Sequence, residues 1–233
     1  MKINTDTTRR IGLIVILGLS VALLDIKLAQ AESETESNSG LYVLGQFGLA
    51  VISDTKIAAP GTDIELDRLK HKSGFAWGGA VGYKIDYVRL ELESMFTYAL
   101  QDIEAEPNFN VVGNSLMLTM MANVYVDMFN YDFEDIKGKF VPYAGIGAGY
   151  AGMLVTQEVS MFDITVKEEA MLNSFGVQGM LGAKYFITEN YAIDFKYKLL
   201  VVPGSTFETT NKQKWDYSTF AVNTFNVGLS YSF

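Results

Sequence analysis

The sequence predicts an all-β fold, an eight-stranded antiparallel up-and-down transmembrane β-barrel. Three observations carry that expectation. Hydrophobic residues make up 49% of the 233-residue chain, yet its longest unbroken apolar stretch is Ile11–Leu24. Beyond that stretch, apolar residues recur at every second position in segments of about ten residues, the period that turns one side chain to lipid and the next to a lumen. The connections between these segments differ in length, long ones at one end and mostly short ones at the other, as at the extracellular and periplasmic ends of such barrels.

Composition closes off the other classes. Ile11–Leu24 is 14 residues, short of the roughly 20 that a membrane-spanning helix needs. Aromatics at 13%, on top of the apolar content, exclude a disordered chain. With no Cys and a single His, thiolate sites, disulfides, cysteine lipidation and His-cluster metal sites are excluded, and no cofactor is expected.

Residues 1–31 form a secretory signal peptide. Arg9 and Arg10 supply a basic start, Ile11–Leu24 an apolar core of ordinary length, and Ala29-Gln30-Ala31 a small-x-small cleavage site, with Ala29 and Ala31 as its small residues. Thr8-Arg9-Arg10 also suggests twin-arginine export. That route carries folded cargo, and a folded barrel would expose its apolar belt before reaching its membrane, so the general secretory route is expected. Removing this segment takes the net charge from −9 to −11, which disfavours nucleic acid as a partner. Glu32–Ser39 is a short acidic tether, and 40–233 is the barrel.

Eight segments alternate. Leu41–Val51 sets Leu41, Val43, Phe47 and Leu49 against Gln46, Gly48 and Ala50. Ser73–Lys84 sets Phe75, Trp77, Val81 and Tyr83 against small residues. Tyr87–Tyr98 sets Val88, Leu90, Leu92 and Phe96 against Arg89, Glu91 and Glu93. Ser115–Asp127 sets Leu116, Leu118, Met120 and Val124 against Ser115, Thr119, Asn123 and Asp127. Phe140–Ala151 puts Gly145, Gly147 and Gly149 on one face. Phe175–Tyr185 places Gln178 and Lys184, and Tyr191–Leu199 places Asp194, Lys196 and Lys198, opposite rows of large apolar residues. Phe225–Phe233 closes the chain with Phe225, Val227, Leu229, Tyr231 and Phe233 on one face.

The competing fold is a soluble sandwich or lipocalin-like barrel, whose apolar residues point inward. Three features favour the membrane. Tyrosines sit at segment ends (Tyr83, Tyr98, Tyr150, Tyr185, Tyr191, Tyr231), where an interfacial girdle forms. The polar face combines charges with glycines, poor material for a soluble core. Connections 52–72, 99–114, 152–174 and 200–224 are long, while Ile85-Asp86 and Phe186–Asn190 are tight, although Met128–Lys139 is longer than a periplasmic turn needs. A turn at Ile85-Asp86 would set Gly82 opposite Arg89, Ala80 opposite Glu91 and Gly78 opposite Glu93. Each long charge then meets a small neighbour. Arg89, Lys184, Lys196 and Lys198 nearly balance Glu91, Glu93 and Asp194. Eight strands leave only enough room for side chains, so this lumen is expected to be a closed polar plug.

The final nine residues, FNVGLSYSF, alternate back from a terminal Phe. They resemble the C-terminal signal by which outer-membrane proteins are recognised for barrel assembly. PYAGIGAGYA (Pro142–Ala151), RLELE (Arg89–Glu93) and YAIDFKYK (Tyr191–Lys198) resemble strands of small opacity-like, OmpA/OmpX-type barrels and of surface antigens of alphaproteobacterial, rickettsia-like bacteria. The resemblance spans Leu41–Phe233. It implies a monomeric barrel in the bacterial outer membrane, contacts with lipid, lipopolysaccharide and the barrel assembly machinery, and roles in adhesion, immune interaction or envelope integrity.

Catalytic and metal-binding readings are weak. His71-Lys72-Ser73 resembles the His-x-Ser pair of outer-membrane lipid A deacylases, since i and i+2 share a strand face. The strand supplies no third group, so no enzyme is expected. Gly145, Gly147 and Gly149, spaced by two with no helix after them, line a strand rather than a phosphate. Asp163, Glu168 and Glu169, or Asp102, Glu104 and Glu106, could hold Ca²⁺ weakly, but solvated acidic loops are commoner. Met117, Met120 and Met121 fall on both faces of one segment and act as filler. Specificity therefore belongs to the long connections. Among them, 152–174 alternates Val155, Val159, Met161 and Val166, as if its flanking strands continue upward as a hairpin. The expected function is that of a non-enzymatic surface antigen or adhesin whose loops meet a host or environmental partner. The alternatives are a passive envelope-stabilising barrel or minor porin, and, more remotely, a lipid A-modifying hydrolase.

Overall fold

The structure, a computed structural model, describes residues 39–53, 55–58, 65–102, 110–131, 136–161, 164–208 and 214–233. The expected signal peptide, with Ala29 and Ala31, and the expected tether up to residue 38 lie outside them. Eleven strands follow in chain order: β1 (Ser39–Ile52), β2 (Thr55–Ala58), β3 (Glu65–Ile85), β4 (Val88–Asp102), β5 (Asn110–Asp127), β6 (Phe140–Met161), β7 (Ile164–Phe186), β8 (Tyr191–Val202), β9 (Ser205–Glu208), β10 (Lys214–Tyr217) and β11 (Phe220–Ser232). Eight of them, β1, β3 to β8 and β11, are long, each antiparallel to its neighbours. β1 pairs with both β3 and β11, which closes the ring. The described residues contain no helix.

The burial pattern is inverted relative to a soluble protein. Leu92 and Ile146 are 70% and 72% exposed, while Arg89, Glu91 and Glu93 between and beside such residues are at most 3% exposed. Only a lipid solvent makes that arrangement favourable, with apolar side chains outward and paired charges inward. The soluble sandwich is thereby excluded. Tyr83, Tyr87, Phe140, Tyr185, Tyr191 and Phe233 form the exposed periplasmic girdle.

Register corrects one expectation. The β3–β4 turn is Asp86-Tyr87, with Ile85 opposite Val88. Asp86 takes a φ of 51°, a left-handed conformation that Asp tolerates better than most residues. Moving the turn by one residue shifts every pair by two, so Gly82 faces Glu91, Ala80 faces Glu93, and Arg89 faces Lys84. The faces are unchanged, but Arg89 does not sit against a glycine.

The strands also run further than the lipid requires. About 9–11 residues cross a membrane, whereas β6 and β7 have 22 and 23. They stay paired up to Met161 and Ile164, so the connection at 152–174 is a projecting hairpin. Its ten extra residues per strand reach about 33 Å along the strand. Three other strands continue after a break: β1 into β2, β8 into β9, and β11 back into β10. β2 pairs with β3 and with β10, and β10 pairs with β9.

Candidate functional site: the filled lumen and the extracellular rim

The inward side chains fill the lumen in layers, because residues two apart on each strand point the same way. The lowest layer is a cap. Tyr131 and Ile136 of the 128–139 connection are buried against Val141, Phe186 and Ala192, which explains the unexpected length of that turn. The Lys84 ammonium donates to the Tyr131 carbonyl at 3.1 Å and to Asn130 Oδ1 at 3.3 Å, and lies 4.2 Å from the Tyr131 ring centre. Burial, with the Asp127 carboxylate nearby, holds the Tyr131 phenol well above its ordinary range, so it stays protonated.

Above the cap, Arg89 Nε donates to both Asp127 oxygens at 2.9 and 3.1 Å, and its guanidinium lies 4.8 Å and 4.5 Å from the rings of Tyr125 and Tyr143. Tyr143 donates to Asp194 at 2.5 Å, and Lys184 stands 3.9 Å from the other Asp194 oxygen. In the next layer Glu91 accepts from Tyr42 at 3.0 Å and from Tyr125 at 2.9 Å, with Lys196 at 3.5 Å. Glu93 then accepts from Lys198 at 2.7 Å and Gln46 at 2.8 Å. Arg89, Glu91, Glu93, Lys184, Asp194, Lys196 and Lys198 are all buried and lie in this one set of layers.

Four of its principal members were not among the sequence candidates: Asp127 as the partner of Arg89, and Tyr42, Tyr125 and Tyr143. Each tyrosine lies directly across from a glycine, in the pairs Tyr42–Gly82, Tyr125–Gly145 and Tyr143–Gly182. A Cβ at any of these glycines would collide with the tyrosine ring. The glycines are therefore sockets for inward rings, a role legible in the parity that Tyr125 shares with Asn123 and Asp127.

The charges stop halfway up, which corrects the expectation of a wholly polar plug. The extracellular half is filled by Ile52, Met117, Met121, Met153, Val155, Leu172, Leu200, Val202, Phe220 and Val222, all buried. Met120 points outward at 41% exposure, so the methionines divide between faces as packing residues. Hydroxyl side chains are buried in the lumen as well, at Thr97, Ser115, Thr119 and Thr224.

The remaining candidates fall elsewhere. Phe225, Val227 and Leu229 are exposed on the outer face of β11 and Phe233 is exposed just after it, while the Tyr231 ring centre lies 5.0 Å from those of both Tyr191 and Phe233. The β3–β4 ladder slips between His71 and Gly74. The His71 side chain and the acidic side chains from 102 to 106 and 163 to 169 lie outside the described residues. Among the described residues, no three His, Asp or Glu are placed to hold a metal ion.

A closed antiparallel ring with lipid-facing apolar residues and a side-chain-filled lumen defines a small outer-membrane barrel. The family model of the outer membrane protein beta-barrel domain matches residues 12–233, and the chain belongs to that family. It is 28% identical over 240 residues to outer membrane protein PagN of Salmonella typhimurium, covering 91% of this chain and 98% of PagN. Among solved structures, OprG of Pseudomonas aeruginosa aligns with a TM-score of 0.50 at 16% identity, over 83% of this chain and 96% of OprG. Neisserial surface protein A aligns with a TM-score of 0.46 at 17% identity, over 84% of this chain and 99% of its own. The chain is a protein of the bacterial outer membrane.

Proposed function

We propose that the chain is a non-enzymatic surface protein of adhesin type, whose extracellular connections contact a host or environmental partner. The observation that carries this reading is the division of the molecule. Within the membrane the lumen is filled by interlocked side chains, leaving contact to the parts above it. There the β6–β7 hairpin projects well past the lipid, and β2, β9 and β10 form added sheet. The long connections 52–72, 99–114, 152–174 and 200–224 hold thirteen Asp and Glu against seven Lys and Arg. A net −6 repels polyanions and favours a neutral or basic partner.

The test is adhesion of bacteria displaying the chain, compared with the same chain lacking the tips 57–66 and 158–167. Adhesion should fall to the level of cells without the protein, while heat-modifiable gel mobility shows that the shortened barrel still folds. Undiminished adhesion would overturn the proposal and leave the passive envelope-stabilising role.

A further inference from the structure

A polar side chain lies inside the lipid-facing belt with half of its hydrogen-bonding capacity unused. Asn223 points outward from β11, between its cross-strand partners Leu199 of β8 and Val51 of β1, and both of these are exposed to lipid. Its Oδ1 accepts from the Tyr197 hydroxyl at 2.7 Å. Its Nδ2 protons find no acceptor among the described residues. Water would satisfy such a donor at once, but hydrocarbon offers it nothing, so an amide on this face is costly unless a ligand completes it.

Directly below Asn223, on the same face, Phe47, Leu49, Phe195, Tyr197, Phe225 and Val227 line a trough. Val227 is its floor, with Phe195 opposite on β8 and Phe47 opposite on β1. The walls are braced. Phe47 stacks on Phe75 with ring centres 5.9 Å apart, and the Tyr197 ring lies 4.9 Å from that of Phe225 while its hydroxyl is tied to Asn223. Depth follows from the register. Leu199, opposite Asn223, is eight residues above Tyr191 of the periplasmic girdle. That is about 26 Å of strand and, at a tilt of roughly 40°, about 20 Å of height in an apolar band about 25 Å tall. Asn223 therefore stands just under the extracellular headgroups, and the trough runs from it towards the bilayer centre.

We propose that this face of the barrel binds lipid A, the glycolipid anchor of lipopolysaccharide, through one acyl chain. An oxygen on the third carbon of that chain accepts from Asn223 Nδ2, and the hydrocarbon beyond it lies in the trough over Val227. The occupant is a lipid because the trough is continuous with the belt that meets the bilayer, and a lipid of the outer leaflet because its polar end faces the extracellular side. Phospholipid chains carry nothing polar below their first carbonyl, whereas the 3-oxygen of a lipid A chain sits just beneath the headgroup, at the depth of Asn223. The site uses none of the long connections, so it stands apart from the adhesion reading above.

The test titrates the full barrel in a non-ionic detergent with lipid A, and native mass spectrometry reads the fraction carrying it. Asn223→Leu, which removes the donor, and Val227→Trp, which fills the trough, should each raise the half-saturating concentration at least tenfold. Leu92→Trp, on the lipid face of β4 at 70% exposure, should bind as the parent does. Phosphatidylethanolamine should bind at least tenfold more weakly than lipid A, and equally well to the parent and Asn223→Leu. All three substitutions turn apolar side chains to lipid, and heat-modifiable gel mobility verifies that each barrel folds. Val227→Phe replaces Val227→Trp should the larger ring prevent folding. Lipid A binding that is unchanged by Asn223→Leu, or by filling the trough, overturns the proposal. An equal loss in Leu92→Trp would show lipid A held by the belt at large, and equal affinity for phosphatidylethanolamine would show a trough that takes any acyl chain. Either result overturns it too, as does a dimer that Asn223→Leu dissociates, which would place a second copy of this chain against the amide.

Discussion

The lower and upper halves of the lumen fill the same eight-stranded hole with opposite chemistry. In the periplasmic half Arg89, Glu91, Glu93, Asp127, Asp194, Lys196 and Lys198 interlock through tyrosine hydroxyls. In the extracellular half methionines and aliphatic residues close the space. The strands, their spacing and the surrounding lipid are common to both, so barrel closure does not dictate what lies inside. The halves differ in how they respond to loss. A charge network is costly when one member goes, because the partner stays buried and unpaired. An apolar plug loses only contacts and leaves a cavity.

The largest effect is expected at Glu93. It is buried and accepts from Lys198 at 2.7 Å and Gln46 at 2.8 Å. Glu93→Ala should destabilise the barrel by about 4 kcal/mol, the cost of stranding a buried ammonium. Urea unfolding in lipid vesicles, followed by heat-modifiable gel mobility, reads this directly. The sharper form is the double variant Glu93→Met with Lys198→Met, which should recover most of the loss because no charge is left unpartnered. If the single variant costs under about 1 kcal/mol, the lower lumen is hydrated enough to screen its charges and the contrast between the halves dissolves.

Leu200→Ala should cost less, about 3 kcal/mol, through lost burial and an incompletely collapsed cavity among Met121, Leu172 and Val222. The same unfolding assay measures it, and adding Lys198→Met, expected to offset the loss of the Glu93 carboxylate, should not offset this one.

The two halves were unequally legible in the sequence, for a physical reason. Period two in Arg89–Glu93 and Tyr191–Lys198 follows from the lipid boundary, which punishes a charge on the wrong face, so facing was readable strand by strand. Partners depend on register, which turns decide. A turn at Asp86-Tyr87 instead of Ile85-Asp86 shifts every β3–β4 pair by two. Alternation puts Asp127 on the polar face, but nothing local joins it to Arg89. Tyr42, Tyr125 and Tyr143 were hidden by their type, since tyrosine at a strand end suits a girdle as well as a lumen. The apolar plug was hidden more deeply. Met117 and Met153 face inward above the charges, and an apolar residue on the polar parity gives no signal until the layers are stacked.

The smallest effect is expected outside the lumen, and it calibrates the other two. Ile146 is 72% exposed on the lipid face of β6, opposite Val124 on β5 and Gly179 on β7. Ile146→Val removes one methylene that touches lipid rather than protein. The folded barrel loses about 0.8 kcal/mol of transfer free energy. No cavity term is added, because lipid tails flow into the space whereas side chains in the lumen cannot. Unfolding in the same vesicles should therefore place this variant close to the parent. A loss above about 2 kcal/mol would mean that Ile146 packs against protein, as it would if a second barrel covered this face, and band positions on unboiled gels would then reveal the dimer.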